Sequence, residues 1–166
     1  GEDEVFAATR NGIAIRFSEK DVRSMGTGAA GVKGITLRDK DKIVGAAIIN
    51  SEIDDDEIKI LTITEEGYGK RTKLSEYRLT SRGGKGIINA KLNEKTGLII
   101  DVKIVGSDDE IMLITSEGTL IRTKVDTVSV IGRSTSGVRI MKVRNEEKVA
   151  SAVKIAENPE EEKELS

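Results

Sequence analysis

Histidine and cysteine are both absent from this 166-residue chain, tryptophan is absent too, proline occurs once, and aromatic residues make up 2% of it. Without cysteine there is no disulfide scaffold and no thiolate metal site, which fits a reducing cytoplasm. Without histidine the commonest general base and the commonest metal ligand are missing, so nucleophile–histidine catalysis is excluded. No run of about 18 apolar residues exists to cross a membrane. The acidic start Gly1-Glu2-Asp3-Glu4 lacks the make-up of a signal peptide. Scarce aromatics also argue against base stacking, and so against single-strand and RNA-recognition modules.

What the chain does contain is glycine, 17 residues of it, and charge, at 34%. Its apolar content is mainly Ile, Val, Leu and Ala, so a core must be built from small and β-branched side chains used many times. Such side chains pack well on a pleated surface, which favours β structure. The net charge of −2 is unevenly placed, because the last ten residues hold five Glu and one Lys. Without them, 26 basic residues face 24 acidic ones, a balance that leaves room for a basic stripe on one face.

The main signal is an internal repeat. Three apolar runs end in Thr9, Thr64 and Thr115; each is followed by a polar pair, then by Gly12, Gly67 or Gly118, then four positions later by Arg16, Arg71 or Arg122. A polar pair followed by Gly between two apolar strands reads as a β-hairpin. Each unit then carries a second Gly with a basic residue beyond it (Gly31-Val32-Lys33, Gly83-Gly84-Lys85, Gly137-Val138-Arg139) and closes with an apolar stretch, at 43–49, 98–105 and 149–155. The expected fold is all-β, with about four short strands per unit of roughly 50 residues, the size of a propeller blade. Blades are expected at about 5–50, 58–106 and 109–156, followed by an acidic, disordered tail over 157–166.

Two other motifs have plainer readings. Gly26-Thr27-Gly28-Ala29-Ala30-Gly31 matches Gly-x-Gly-x-x-Gly, but the residues after it look like strand and not like the helix a dinucleotide needs, so a structural turn is expected and no cofactor is implied. The acidic run Asp54-Asp55-Asp56-Glu57 lacks the alternating ligands and mid-loop Gly of a calcium loop, and reads as a solvated turn with no metal.

The cations carry the functional reading. Arg16, Arg71 and Arg122 recur at one position, with Lys70 and Lys73 beside the second and Lys124 beside the third; Lys33, Lys85 and Arg139 recur at another, and Arg133 stands near the last. Equivalent positions of stacked units lie on equivalent surfaces, so these side chains should form a band able to neutralise phosphates along a curved duplex. The plainer alternative is that they are solvated charges that protect strand edges. Arg82-Gly83-Gly84-Lys85-Gly86 adds exposed backbone to the charge, which suits contact with phosphate without reading bases.

At this segment the chain resembles the C-terminal domain of DNA gyrase A subunits, whose box motif reads Gln-Arg-Arg-Gly-Gly-Lys-Gly; residues 82–86 match its last five positions, while Thr80 and Ser81 depart from its start. The resemblance extends from Val5 to the end and includes the stretches 118–122 and 131–139 and the acidic tail; the A subunit of topoisomerase IV is the near relative. It implies a six-bladed β-pinwheel whose basic rim wraps duplex DNA, of which three blades, half the disc, are present here. It implies no catalytic residue in this chain, since the breakage tyrosine and ATP site of such enzymes lie elsewhere. It also implies two protein partners, the B subunit of gyrase plus the remainder of its A subunit, at the nucleoid in the cytoplasm. The other function class consistent with the residues is a protein-interaction or regulatory blade array without DNA affinity. Half a ring leaves two blade faces uncovered, so a homodimer that completes the disc is a further expectation.

Overall fold

The recurring threonines close the three hairpins. The Oγ1 atoms of Thr9, Thr64 and Thr115 accept hydrogen bonds from the backbone N–H groups of Ile13, Tyr68 and Thr119 at 3.2, 3.1 and 3.0 Å. The same residues' carbonyls accept from the N–H groups of Gly12, Gly67 and Gly118, which sit at φ values of 96°, 85° and 85°. Thr thus supplies two acceptors per turn, and Gly the left-handed residue that the turn needs. The computed structural model in which this is seen describes residues 3–22 and 31–155. Positions 26–30 of the glycine run and the acidic tail at 157–166 lie outside the described residues.

The described chain is built from eleven strands and three single-turn 3₁₀ segments. The first unit holds β1 (Glu4–Thr9), β2 (Ile13–Ser18), a turn at Glu19–Asp21 and β3 (Ile43–Ile49). The second holds β4 (Lys59–Thr64), β5 (Tyr68–Lys73), a turn at Leu74–Glu76, β6 (Ile87–Ile88) and β7 (Ile99–Val105). The third holds β8 (Glu110–Thr115), β9 (Leu120–Lys124), a turn at Val125–Thr127, β10 (Val138–Arg139) and β11 (Val149–Ile155). No described helix is long and apolar enough to cross a membrane.

All strands pair antiparallel, in three small sheets ordered β3-β1-β2-β6, β10-β5-β4-β7 and β11-β8-β9. The protein is all-β, and its sheets resemble propeller blades that do not close into a barrel. The apolar third stretch of each repeat forms the strand beside the hairpin, as its sequence implies. The fourth strand differs from the expectation of a self-contained unit: β6 pairs with β2 of the unit before it, and β10 with β5 of the unit before it. The second and third repeats therefore each hand a short strand backwards.

This hand-over also corrects the register of the second glycine. β6 puts Ile87 opposite Ala14, and β10 puts Val138 opposite Gly69, two equivalent hairpin positions. The counterpart of Gly137 is therefore Gly86, not Gly83, and Lys33 corresponds to Ile88 and Arg139 rather than to Lys85. Gly86 has φ 76°, and a Cβ there would lie 2.5 Å from the Ala14 carbonyl oxygen. Only a glycine lets the incoming strand come this close.

The hydrophobic core lies between sheets. One cluster joins Phe6, Ala8 and Ile49 of the first unit to Ile60, Leu74 and Tyr77 of the second. Another joins Leu61, Ile63 and Val105 of the second unit to Val125, Val128 and Val149 of the third. Both 3₁₀ turns thus plug the preceding unit's face; Tyr77 stacks edge-on against Phe6 at 5.0 Å and donates from its hydroxyl to Asn89 Oδ1 at 2.5 Å. Such nearest-neighbour packing is how repeat arrays gain stability.

Candidate nucleic-acid interface

Strand alternation and the inter-unit joints divide the cations of the sequence into buried and exposed sets. Arg16, on β2, is 7% exposed and reaches the next unit: Nη1 donates to the carbonyls of Tyr77 at 2.9 Å and Leu74 at 3.3 Å, while Glu4 and Asp55 pair with Nε at 2.5 Å and Nη2 at 2.7 Å. Burial opposes its charge, but those carboxylates more than offset that and raise its pKa. Arg71, on β5, repeats the reach at 8% exposure, with Nε on the Val128 carbonyl at 2.7 Å and Nη2 on that of Asp126 at 3.2 Å. The acidic run is a turn, as its sequence reads, and its Asp55 serves Arg16.

Lys70 is more fully enclosed, at 1% exposure. Its Nζ donates to the carbonyls of Arg133 at 2.6 Å, Thr135 at 2.9 Å and Gly132 at 3.0 Å, with the Thr135 hydroxyl at 3.2 Å. Burial pushes this ammonium down to about 8. Arg16, Lys70 and Arg71 therefore do not lie on an open band. Their donors are committed to carbonyls of the next unit and, for Arg16, also to the carboxylates of Glu4 and Asp55, so they join repeats instead of facing a ligand.

Arg82 and Arg133 also act as clamps, although they are partly exposed. Arg82 donates from Nε to the Asp21 carbonyl at 3.0 Å and from Nη1 to that of Lys33 at 2.7 Å. Arg133 does the same to the carbonyls of Glu76 at 2.9 Å and Ile88 at 2.5 Å. In the loop after Arg82, the Gly83 N–H is already used, donating to the Gly34 carbonyl at 2.7 Å, and the Gly83 carbonyl accepts from the Thr36 hydroxyl at 2.6 Å. Gly83 therefore does not offer its N–H to a phosphate, whereas Gly84 and Lys85 lie exposed beside it.

The exposed cations among the expected set are Lys33, Lys73, Lys85, Arg122, Lys124 and Arg139. Arg122 pairs with Glu110 across the hairpin, and Arg139 lies 5.3 Å from the Tyr68 ring centroid with its Nη2 donating to the phenolic oxygen at 3.2 Å. Around the glycine loop two adjoining concavities open. One, of about 450 Å³, is lined by Arg78, Thr80, Gly84, Lys85 and Gly86 among others; the second, of about 440 Å³, adds Arg38, Glu76 and Arg133 and shares Arg78 and Gly86. Arg38 and Arg78 are both exposed. Neither belongs to the sequence-expected set, because neither sits in the hairpin positions that make the repeat visible. Arg78 had one available signal in the sequence, in that it follows Arg71 by seven positions as Arg23 follows Arg16.

The site is thus a pair of shallow concavities that meet at Arg78 and Gly86, one with Lys85 and the glycine loop on its lining, the other with Arg38, Arg133 and Glu76. It holds no enclosed pocket, and among the described residues no group of three or more acidic side chains is placed to bind a metal. Chemically it suits a polyanion held by its backbone: cations without aromatic platforms contact phosphates and leave bases unread.

Comparison with known proteins agrees in family and fold. Residues 3–50, 59–106 and 109–156 each match the family described as the DNA gyrase C-terminal domain, beta-propeller. The chain is 50% identical over 85% of its length to the gyrase A protein of Lawsonia intracellularis and 41% identical over 98% to that of Escherichia coli, and it spans 17% and 18% of those two proteins. Among solved structures it is similar to the C-terminal domain of DNA topoisomerase IV (29% identity, TM-score 0.84, 93% of this chain and 47% of that one). It is similar also to a DNA gyrase A C-terminal domain (28% identity, TM-score 0.82, 93% of this chain and 51% of that one).

Proposed function

This chain belongs to the DNA gyrase C-terminal domain family, and from that premise we propose that it binds duplex DNA along its basic surface with little sequence preference and bends it, as part of a type II topoisomerase. The observation that carries the reading is that Arg78 and Lys85 are exposed along one concavity at the glycine loop and Arg38 along the adjoining one, the two sharing Arg78 and Gly86. Each such cation that neutralises a phosphate releases counterions, and a curved row of them favours a bent duplex. Catalysis belongs to other parts of the enzyme. The partners are duplex DNA, the B subunit of gyrase, plus the remainder of its A subunit; the setting is the cytoplasm, at the nucleoid; the outcome of wrapping is directional, negative supercoiling.

The test is binding of a fluorescent duplex by anisotropy across a salt series, with Arg78→Ala/Lys85→Ala beside the wild type. Affinity is expected to fall steeply with salt, and the double variant to lower the log–log slope by about 2, close to one per lost phosphate contact. Both substitutions lie on exposed side chains, so unfolding curves should coincide. Binding absent at low salt, or a slope that the double variant leaves unchanged, would sink the reading in favour of a protein-interaction module.

A further inference from the structure

Each of the two inner joints places one carboxylate beside its clamp arginine. The 3₁₀ turn at Glu19–Asp21 ends on Asp21 and that at Leu74–Glu76 on Glu76, whereas the third turn ends on Thr127. Asp21 Oδ2 accepts the N–H of Arg82 at 3.3 Å, and Glu76 Oε1 accepts that of Arg133 at 3.1 Å. The backbone carbonyls of the same two acids receive the arginines' Nε atoms at 3.0 and 2.9 Å. The equivalence of the two joints thus extends from the arginine to the acid.

Holding an N–H needs an oxygen but no charge, and an amide carbonyl would serve as well. The charge has a setting of its own. Glu76 is exposed and lines one concavity together with Arg38, Arg78 and Arg133. Asp21, also exposed, lines a further hollow of about 370 Å³ with Lys20, Ser81 and Arg82. That hollow shares Ser81 and Arg82 with the concavity at the glycine loop, which in turn shares Arg78 and Gly86 with the one at Glu76. The three adjoin in order, with cations in all of them and a carboxylate in the first and the last. A phosphate drawn into either end by its cations lies beside the carboxylate too, and like charges so placed repel across less than a screening length.

We infer that Asp21 and Glu76 limit the affinity of the duplex site: one carboxylate per joint opposes the phosphates that the neighbouring arginines attract, so that a bent duplex is held loosely enough to be released. The inference rests on the duplex-binding reading above and adds to it residues that act with the opposite sign. A role confined to holding the loop predicts the reverse, because a joint that loses its anchor should bind less well.

Glu76 has a second effect that separates the two roles. Burial lowers the pKa of Lys70 and the Glu76 carboxylate raises it again, so the acid also favours the ammonium inside the second-to-third joint. Its amide should therefore lower stability while it strengthens binding, two changes that a structural defect alone does not combine. Asp21 lacks this link, since the first hairpin carries Ile15 where the second has Lys70.

Duplex binding by this chain, read by anisotropy across a salt series, tests the inference with Glu76→Gln and Asp21→Asn, which keep an acceptor oxygen and remove the charge. Each should tighten binding about fivefold at low salt. The gain should shrink as salt rises, and the two gains should multiply in the double variant. The log–log slope should therefore steepen, opposite to its change in Arg78→Ala/Lys85→Ala. Glu117→Gln removes the same charge from the exposed turn of the third hairpin and should leave affinity unchanged. Urea unfolding should find Glu76→Gln less stable than the wild type and Asp21→Asn equal to it. If the wild type binds and the amides bind no more tightly, or if Glu117→Gln gives an equal gain, this inference is overturned and the duplex-binding reading stands. Absence of wild-type binding at low salt would overturn both.

Discussion

Replacing Lys70 with Met is expected to destabilise the protein by about 3 kcal/mol, the cost typical of removing one partner from a buried charged network. Met has nearly the same length, so the loss is not one of volume. What disappears is the ammonium that holds three carbonyls, those of Gly132, Arg133 and Thr135, and the Thr135 hydroxyl. Those groups belong to the third unit, so the second-to-third joint should open first, read by hydrogen exchange at β10. The first hairpin carries Ile15 at the equivalent place, buried and apolar beside the loop at Gly84, where no ammonium is present. Urea unfolding measures the effect, and a loss under 1 kcal/mol would mean that water replaces the ammonium at little cost.

The same residue has a pH signature. Its folded pKa of about 8 lies below the ordinary value of 10.5, so between those values the unfolded chain binds more protons than the folded one. Stability must then rise with pH over that window. The difference between wild type and Lys70→Met is expected to be flat below pH 8 and to widen from pH 8 to 10, an interval in which Met has nothing to titrate.

Gly86→Ala is expected to cost about 3 kcal/mol, and Gly118→Ala about 1 kcal/mol, although both residues have positive φ. The left-handed backbone penalises any side chain at either place. Only at Gly86 does the new Cβ also meet backbone, at 2.5 Å from the Ala14 carbonyl oxygen; at Gly118 nothing lies within 4 Å. The excess of about 2 kcal/mol is the cost of pushing β6 off β2. Equal losses in the two variants, measured by urea unfolding, would show that the close approach of the strands contributes nothing.

Much of the fold was legible because its main devices are local. A hairpin needs a left-handed residue and acceptors for the turn's N–H groups, and the Thr–polar–polar–Gly spacing supplies both within four residues, three times over. The alternation of Val, Ile and Leu beside those turns identifies the strands, and the third apolar stretch of each repeat lies where it was expected. The hand-over of strands was not legible. β6 and β10 are two-residue pairings with partners about 70 positions away, too short to show a period of two, and the adjacent glycines 83, 84 and 86 left the register between repeats ambiguous by three.

Charge was read correctly as a repeated feature and incorrectly as a repeated surface for Arg16, Lys70 and Arg71. An arginine on a strand reads as solvent-facing unless the carbonyls that receive it are known, and these belong to a turn some 57 residues further on, such as that ending at Val128 for Arg71. Arg38 and Arg78 lie outside the hairpin signal and entered the basic surface only when the chain was folded. The all-β class, the three repeats, their turns and the family thus follow from the residues alone, since each rests on local backbone chemistry and spacing. Which cations join the units and which are left to face a partner follows only from the folded chain, because burial depends on what the neighbouring repeat brings alongside.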